Sequence, residues 1–260
     1  MKQIESRDNP RFKQLLRTRQ HHAKGPDAGV FIEGLRLCKD ALLSNVVFET
    51  VIVSQDYLSQ TDLTLYDKST EIIILAPSAF EKLCSTCNPQ GIAAIVRSPV
   101  LFHTKDFTVR PQDKFILCES IQDPGNLGSI IRSADAFGFT GIMFTRDTVD
   151  PFNEKVLRSS MGSIFHIQLI QIDTVAETIC QLKESGVATY ATHLKGDEIA
   201  KDWIIRRPCA IVMGNEGQGI SEETAKACDH LIRIPMKGNA ESLNVSNAAA
   251  ILCYLASTQD

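Results

Sequence analysis

The sequence predicts an α/β protein in two parts: a small α/β unit over the first hundred residues, and a larger unit built on a parallel sheet covered on both faces. Two observations carry this. From Lys114 onward, short apolar runs alternate with amphipathic ones, as they do where strands are joined by crossover helices. Before that, residues 99–113, PVLFHTKDFTVRPQD, hold two prolines, mixed polarity and no clear period, so the domains are expected over 1–104 and 113–260.

The elements follow in order. Asn9 can cap a first helix with Pro10 at its opening position and Phe12, Leu15 and Leu16 on its apolar side; GLRLCKDALLSN reads as a second helix. VFETVIVS and EIIIL read as strands, PSAFEKLCS as a short helix and GIAAIVRS as another strand. The larger unit then runs as strand FILCES, a helix from Asn126 to Phe137, strand GIMFT, helix EKVLRSSMG, strand IFHIQLI, helix VAETICQLKES, and strands VATYATH and CAIVMG. Helix SEETAKAC, strand LIRIP and a final alanine-rich helix complete it.

Composition sets the outer limits. A chain of 260 residues, 43% hydrophobic and 22% charged, is an ordinary globular one with a sizeable core. No apolar run reaches the roughly 18 residues of a membrane span, and the N-terminus lacks the apolar centre of a signal peptide, so a cytoplasmic protein is expected, with an organellar one as the alternative. The eight cysteines lie mostly in apolar runs, as structural thiols do in a reducing compartment. Cys84 and Cys87 form the single CxxC, without the second ligand pair a zinc site needs, so no metal is expected. The net charge of −4 hides an asymmetry: residues 1–24 carry Lys2, Arg7, Arg11, Lys13, Arg17, Arg19 and Lys24 against Glu5 and Asp8, a local charge of +5 on a body of −9. Such a stretch is either a solvated helix or an element that meets phosphate.

Three polar constellations stand out. In DPGNLGSIIRSADAFG, residues 123–138, Leu127, Ile130, Ile131 and Ala134 form a buried stripe and Arg132 points away from it, with Asn126 read as the cap and Gly138 as the stop. In IVMGNEGQGIS, residues 211–221, the glycines fall in the order G-x-x-G-x-G rather than the dinucleotide order G-x-G-x-x-G, which removes a nicotinamide or flavin reading. In PMKGNAESLNVSNAAA, residues 235–250, Ser242 or Asn244 can cap the last helix, yet capping serves only one or two donors and leaves Asn239, Ser246 and Asn247 unexplained.

Together these stretches resemble the SpoU or TrmH family of RNA ribose 2′-O-methyltransferases, within the knotted SPOUT superfamily. The carrying residues are Asn126 with Arg132, Gly214 through Glu216 to Gly219, Ile234 to Met236, and Ser242 to Ser246. FIEGLRLCKDAL is similar to part of the family's ribosomal-protein-like RNA-binding domain. The resemblance implies a trefoil knot made by the threaded C-terminal segment, an S-adenosyl-L-methionine pocket inside it, and a homodimer whose active site is completed across the interface. It implies cofactor contacts at Gly214, Ile234, Met236 and Leu243, and catalytic roles for Asn126, Arg132, Glu216, Ser242 and Asn244. Glu216, Asn126 and Asn244 would orient Arg132, as either the base or a clamp on phosphate or hydroxyl; a guanidinium holds its proton to a pKa above about 12. Arg7, Arg11, Arg17 and Arg19 become candidate RNA contacts. Ribosomal RNA is the expected substrate; transfer RNA, or an RNA-binding module without activity, are the alternatives.

Overall fold

The computed structural model describes residues 1–20, 29–98, 102–103, 108–193, 196, 198–199 and 205–258; Lys24 and much of the 99–113 connector lie outside them. The chain divides into two compact units, Met1–Val100 and Leu101–Asp260.

Unit 1 holds strands β1 (Lys2–Ile4), β2 (Gly29–Glu33), β3 (Phe48–Ser54), β4 (Glu71–Leu75) and β5 (Ile92–Arg97), in the order β1-β4-β3-β5-β2. β1, β4 and β3 run parallel, while β5 is antiparallel to both β3 and β2. Helices α1 (Pro10–Gln20) and α3 (Pro77–Leu83) share one core with the sheet, where Phe12, Leu15, Phe80 and Leu83 meet Phe31, Ile52 and Ile73. Asn9 caps α1 by accepting the Arg11 N–H at 2.9 Å. α2 (Leu35–Leu43) buries Leu37, Cys38 and Ala41. β1 escapes a pattern-based reading because three residues are too few for a period to show, and β2 lies outside the strands read from the sequence. Cys84 is buried and Cys87 exposed, and the loop between them is held by Glu33, whose carboxylate accepts the N–H groups of Ser85 at 2.7 Å and Thr86 at 3.1 Å.

Unit 2 is an eight-stranded sheet in the order β11-β13-β10-β12-β7-β8-β9-β6, with every pairing parallel. Its strands are β6 (Phe102–His103), β7 (Lys114–Cys118), β8 (Gly141–Thr145), β9 (Gln168–Ile172), β10 (Ala188–Thr192), β11 (Glu198–Ile199), β12 (Cys209–Met213) and β13 (His230–Arg233). The central strands are apolar without alternation, as expected where both faces are covered. Phe115 and Leu117 point into one core with Val175, Ile179 and Leu182 of α6 (Val175–Glu184). On α4 (Pro124–Ala136), Leu127, Ile130, Ile131 and Ala134 are fully buried, and α5 (Glu154–Ser160) and α8 (Val245–Ser257) pack against that helix. α7 (Glu222–Ala227) lies beside α6.

The start of α4 differs from the sequence expectation. Its cap is Asp123, whose carboxylate accepts the Asn126 N–H at 3.0 Å, with Pro124 in the first turn. Asn126 therefore sits inside the helix and its side-chain amide is released for other partners. At the last helix the open alternative resolves to Asn244, which accepts the Ser246 N–H at 2.8 Å.

α4 and α5 cross at Gly128, where an added Cβ would lie 2.5 Å from Ser159 Cβ and 2.8 Å from the Val156 carbonyl. Alanine gains about 1 kcal/mol of helix propensity over glycine, but overpacking a tight contact costs about 1–3 kcal/mol and here meets backbone. Gly128→Ala should therefore lower stability, read as a reduced denaturation midpoint in urea; an unchanged or raised midpoint would show the crossing to be loose.

Candidate active site

Three segments remote in sequence converge at the carboxyl end of the unit 2 sheet, where α/β proteins bind ligands. The loop 214–220 leaves β12, the segment 234–244 leaves β13, and α4 begins just after β7. Asn126 joins them. Its Nδ2 donates to Glu216 Oε1 at 2.9 Å, and its Oδ1 accepts from Asn244 Nδ2, also at 2.9 Å. Each end of the amide has one partner of matching polarity, so its orientation is fixed.

Glu216 is the second node. Besides Asn126 it accepts the backbone N–H of Gln122 at 3.1 Å and of Asp123 at 3.0 Å. Partial burial alone would raise its pKa, but the Asn126 amide and the two N–H groups outweigh it and hold the carboxyl below the usual range. At neutral pH Glu216 is thus an ionised, fully engaged acceptor, suited to orienting its neighbours and poorly suited to taking up a proton. Asp123 is likewise held low, first by Lys155 Nζ at 3.0 Å and then by the Asn126 N–H.

Beside this network lies a cleft of about 600 Å³, lined by residues 192–193, 213–220, 232–234, Met236, 242–245 and Ala248. Its volume falls within the range of small-molecule sites, about 300–1,000 Å³. Gly214, Ile234, Met236, Ser242 and Leu243 all line it, together with Glu216 and Asn244. Glycines at 214, 217 and 219 keep one side of the lining free of bulky side chains. At Gly214 the reason is steric, since a Cβ there would lie 2.2 Å from Gly219 C and 2.4 Å from Ile220 N. The loop folds so tightly because Asn215 and Gly219 exchange two backbone hydrogen bonds of 2.9 Å, with Gly219 at φ +73°.

Arg132 stands apart. It is exposed on α4, makes no side-chain bond to the described residues and does not line the cleft. The expectation that Asn126, Glu216 and Asn244 orient it is therefore not met within one chain: their hydrogen bonds close on one another.

The basic residues of α1 also divide. Arg11 is spent inside unit 1: Nε donates to Glu71 at 3.0 Å, Nη1 to Gln14 at 2.8 Å and Nη2 to Thr50 Oγ1 at 3.0 Å. Arg19 donates to the carbonyls of Leu83 at 2.9 Å and Cys84 at 3.2 Å, closing the end of α3. Both guanidiniums are thus engaged within unit 1, and RNA contact at these two positions is a proposal. Arg7 reaches the Ser78 carbonyl from an exposed position, and Arg17 is exposed with no bond to the described residues.

Four site residues went unread in the sequence. Asp123 carries a usable signal, Asp before Pro at a helix start. Asn215 carries another, Asn before a glycine-rich turn: its Oδ1 accepts the N–H of Gly217 at 2.9 Å and Gln218 at 3.1 Å, and its Nδ2 donates to the Ser120 carbonyl at 2.8 Å. Glu119 and Ser120 carry none, because what marks them is contact with residues about a hundred positions away.

With this geometry in place, the comparisons with known proteins agree. Residues 113–254 match the model of the SpoU rRNA Methylase family, and residues 9–94 match an MRM3-like substrate binding domain. The 23S rRNA (guanosine(2553)-2′-O)-methyltransferase RlmP of Bacillus subtilis is 34% identical over 254 residues, 98% of each chain. An AdoMet-bound rRNA methyltransferase from Sinorhizobium meliloti superposes with a TM-score of 0.88 at 29% identity, covering 98% of this chain and 97% of that one. The SpoU methyltransferase AviRb of Streptomyces viridochromogenes, in complex with AdoMet, gives 0.82 at 27% identity over 96% and 98%. The match over more than half the chain, on the segments that build the cleft, places this protein in the SpoU rRNA methylase family.

Proposed function

We propose that the protein is an S-adenosyl-L-methionine-dependent RNA methyltransferase acting on a ribose 2′-hydroxyl of ribosomal RNA in the cytoplasm, where its eight free thiols would stay reduced. The observation that carries this is the Asn126 amide bridging Glu216 and Asn244 beside a cleft of about 600 Å³. The full-length likeness to RlmP favours ribosomal over transfer RNA.

The residues present fit the cofactor. Gly214 lets the loop fold back on itself at the edge of the cleft, and Ile234, Met236 and Leu243 supply apolar residues to its lining. When bound, S-adenosylmethionine supplies a methyl group on a sulfonium, an electrophile that a ribose oxygen can attack. The chain's own task is alignment and the handling of one proton. Positioning is worth about 7–11 kcal/mol and a general base roughly 100- to 10,000-fold, so alignment carries more of the rate. Ser242, Asn244 and Glu216 line the cleft with Asn126 bonded to the last two, and these four would place the hydroxyl. Arg132 would accept the proton or clamp a phosphate or hydroxyl of the RNA.

We further propose that the tail is threaded as a trefoil knot. β13 lies on one side of β10 and β12 on the other, while α8 packs against β12 and α4, so the 234–244 segment must recross the sheet's carboxyl edge. Close passage at Gly196, where a Cβ would lie 2.8 Å from the Leu231 carbonyl, supports this. Knots of this kind are exceptions among folds. A homodimer is supported by the apolar face of α8, where Ile251 is 38% and Tyr254 55% exposed and Tyr254 stands edge-on to Phe137 at 5.8 Å. A second copy would cover that face and supply the surface on which Arg132 acts. Unit 1 would bind the RNA, with Arg7 and Arg17 as phosphate contacts.

Methyl transfer to RNA from labelled cofactor tests the activity, and mapping ribose methylation in a strain lacking the gene names the nucleotide. Arg132→Ala should lower turnover roughly 100-fold or more while leaving cofactor affinity within about twofold; turnover within a few-fold of wild type would remove both roles. In Arg7→Ala/Arg17→Ala the salt dependence of RNA binding should flatten by about one unit of slope per lost contact, and an unchanged slope would return α1 to a solvated surface. Tyr254→Asp should shift the mass in solution from dimer to monomer; a persistent dimer would place the interface elsewhere.

A further inference from the structure

The cleft loop is fastened to the segment after β7 at both ends. At its start, the Glu119 N–H donates to the Met213 carbonyl at 2.9 Å, continuing the β7–β12 ladder. Within it, Asn215 and Glu216 reach Ser120, Gln122, Asp123 and Asn126. At its far end one side chain makes the attachment. Glu119 Oε2 accepts the Ser221 N–H at 3.1 Å and Oε1 accepts the Thr224 hydroxyl at 2.9 Å. Ser221 is in turn the cap of α7, its Oγ accepting the Thr224 N–H at 3.1 Å.

We propose that Glu119 is a positioning residue for the methyl donor: its carboxylate fixes where the 214–220 loop ends and α7 begins, and thereby sets the width of the cleft. The inference rests on the reading that S-adenosylmethionine occupies this cleft. Three features select a glutamate. Two donors, one backbone and one hydroxyl, require an acceptor at each oxygen, which an ionised carboxylate supplies and an amide does not. Thr224 is only 1% exposed, so water cannot readily replace the acceptor of its hydroxyl. The two bonds land on Ser221 and Thr224, just beyond Ile220, the last loop residue lining the cleft. Because the start of the loop is held by the sheet ladder, losing Glu119 frees the far end alone. The cost then falls on cofactor binding rather than on RNA binding or on turnover once the cleft is filled.

The test is calorimetry with S-adenosylmethionine on the full chain, with RNA affinity and turnover at saturating cofactor measured in parallel. A hydrogen bond to a charged group carries enough energy that Glu119→Ala should raise the cofactor Kd by roughly tenfold or more. RNA affinity should stay within about twofold and saturated turnover within about threefold, a KM-against-kcat split that general loosening of the fold would not give. Glu119→Gln, which keeps one acceptor, should fall between wild type and alanine. If Glu119→Ala does not fold, Glu119→Gln decides together with Thr224→Val, which removes one donor at constant volume. Wild-type cofactor affinity in those two folded variants overturns the inference. Leu243→Asp, placed in the cleft wall, is the control. Loss of binding there alongside wild-type affinity in the Glu119 series overturns the Glu119 inference alone, whereas retained binding in Leu243→Asp overturns the cleft assignment and the inference with it.

Discussion

One side-chain amide holds the site together. Asn126 has a donor and an acceptor at opposite edges, and here they meet a carboxylate from residue 216 and an amide from residue 244. The bond to Asn244 contributes about 0.5–1.5 kcal/mol net and the one to the ionised Glu216 about 1.5–3 kcal/mol. Their joint effect is geometric. They bring the exit of β12, the start of α8 and the first turn of α4 into one register beside the cleft, which the ends of β10 and β13 complete. Asp123 makes this possible by capping α4 in Asn126's place.

The fold serves that meeting point. A parallel sheet delivers the carboxyl ends of β7, β10, β12 and β13 to one edge, and the covering helices start or end there. Tightness at the crossings replaces bulk: Gly128 lets α5 press on α4, and Gly214 lets a five-residue turn close on itself. Gly214 and Gly219 thus have an intramolecular explanation before any ligand is considered. Asp123 is neutralised by Lys155, and Arg132 is the exposed cation of α4.

Much of this was legible in the sequence, for identifiable reasons. The long elements of unit 2 announced themselves because buried parallel strands and amphipathic helices have different periods. The buried stripe at Leu127, Ile130, Ile131 and Ala134 is fully enclosed. The strands of two or three residues, β1, β6 and β11, are too short to show a period and carry no legible signal. The cap of α4 was misplaced by three residues because Asp123 and Asn126 are equally good capping types, and only the fold shows which one the helix used. The charge cluster of α1 was visible as a cluster, but nothing local shows that Glu71, sixty residues away, would claim Arg11. The same holds for Glu119 and Thr224. Nearness in the chain marks caps and stripes; partners made by topology appear only once the sheet order is known.

The most direct test of the account is hydrogen–deuterium exchange on the intact protein with and without S-adenosylmethionine. If the loop after β12 and the tail after β13 grip the methyl donor by their main chain, added cofactor should slow exchange at 214–220 and across 234–248, and leave α1 and α3 unaffected. Unchanged exchange in both segments at saturating cofactor, or protection confined to unit 1, would contradict it.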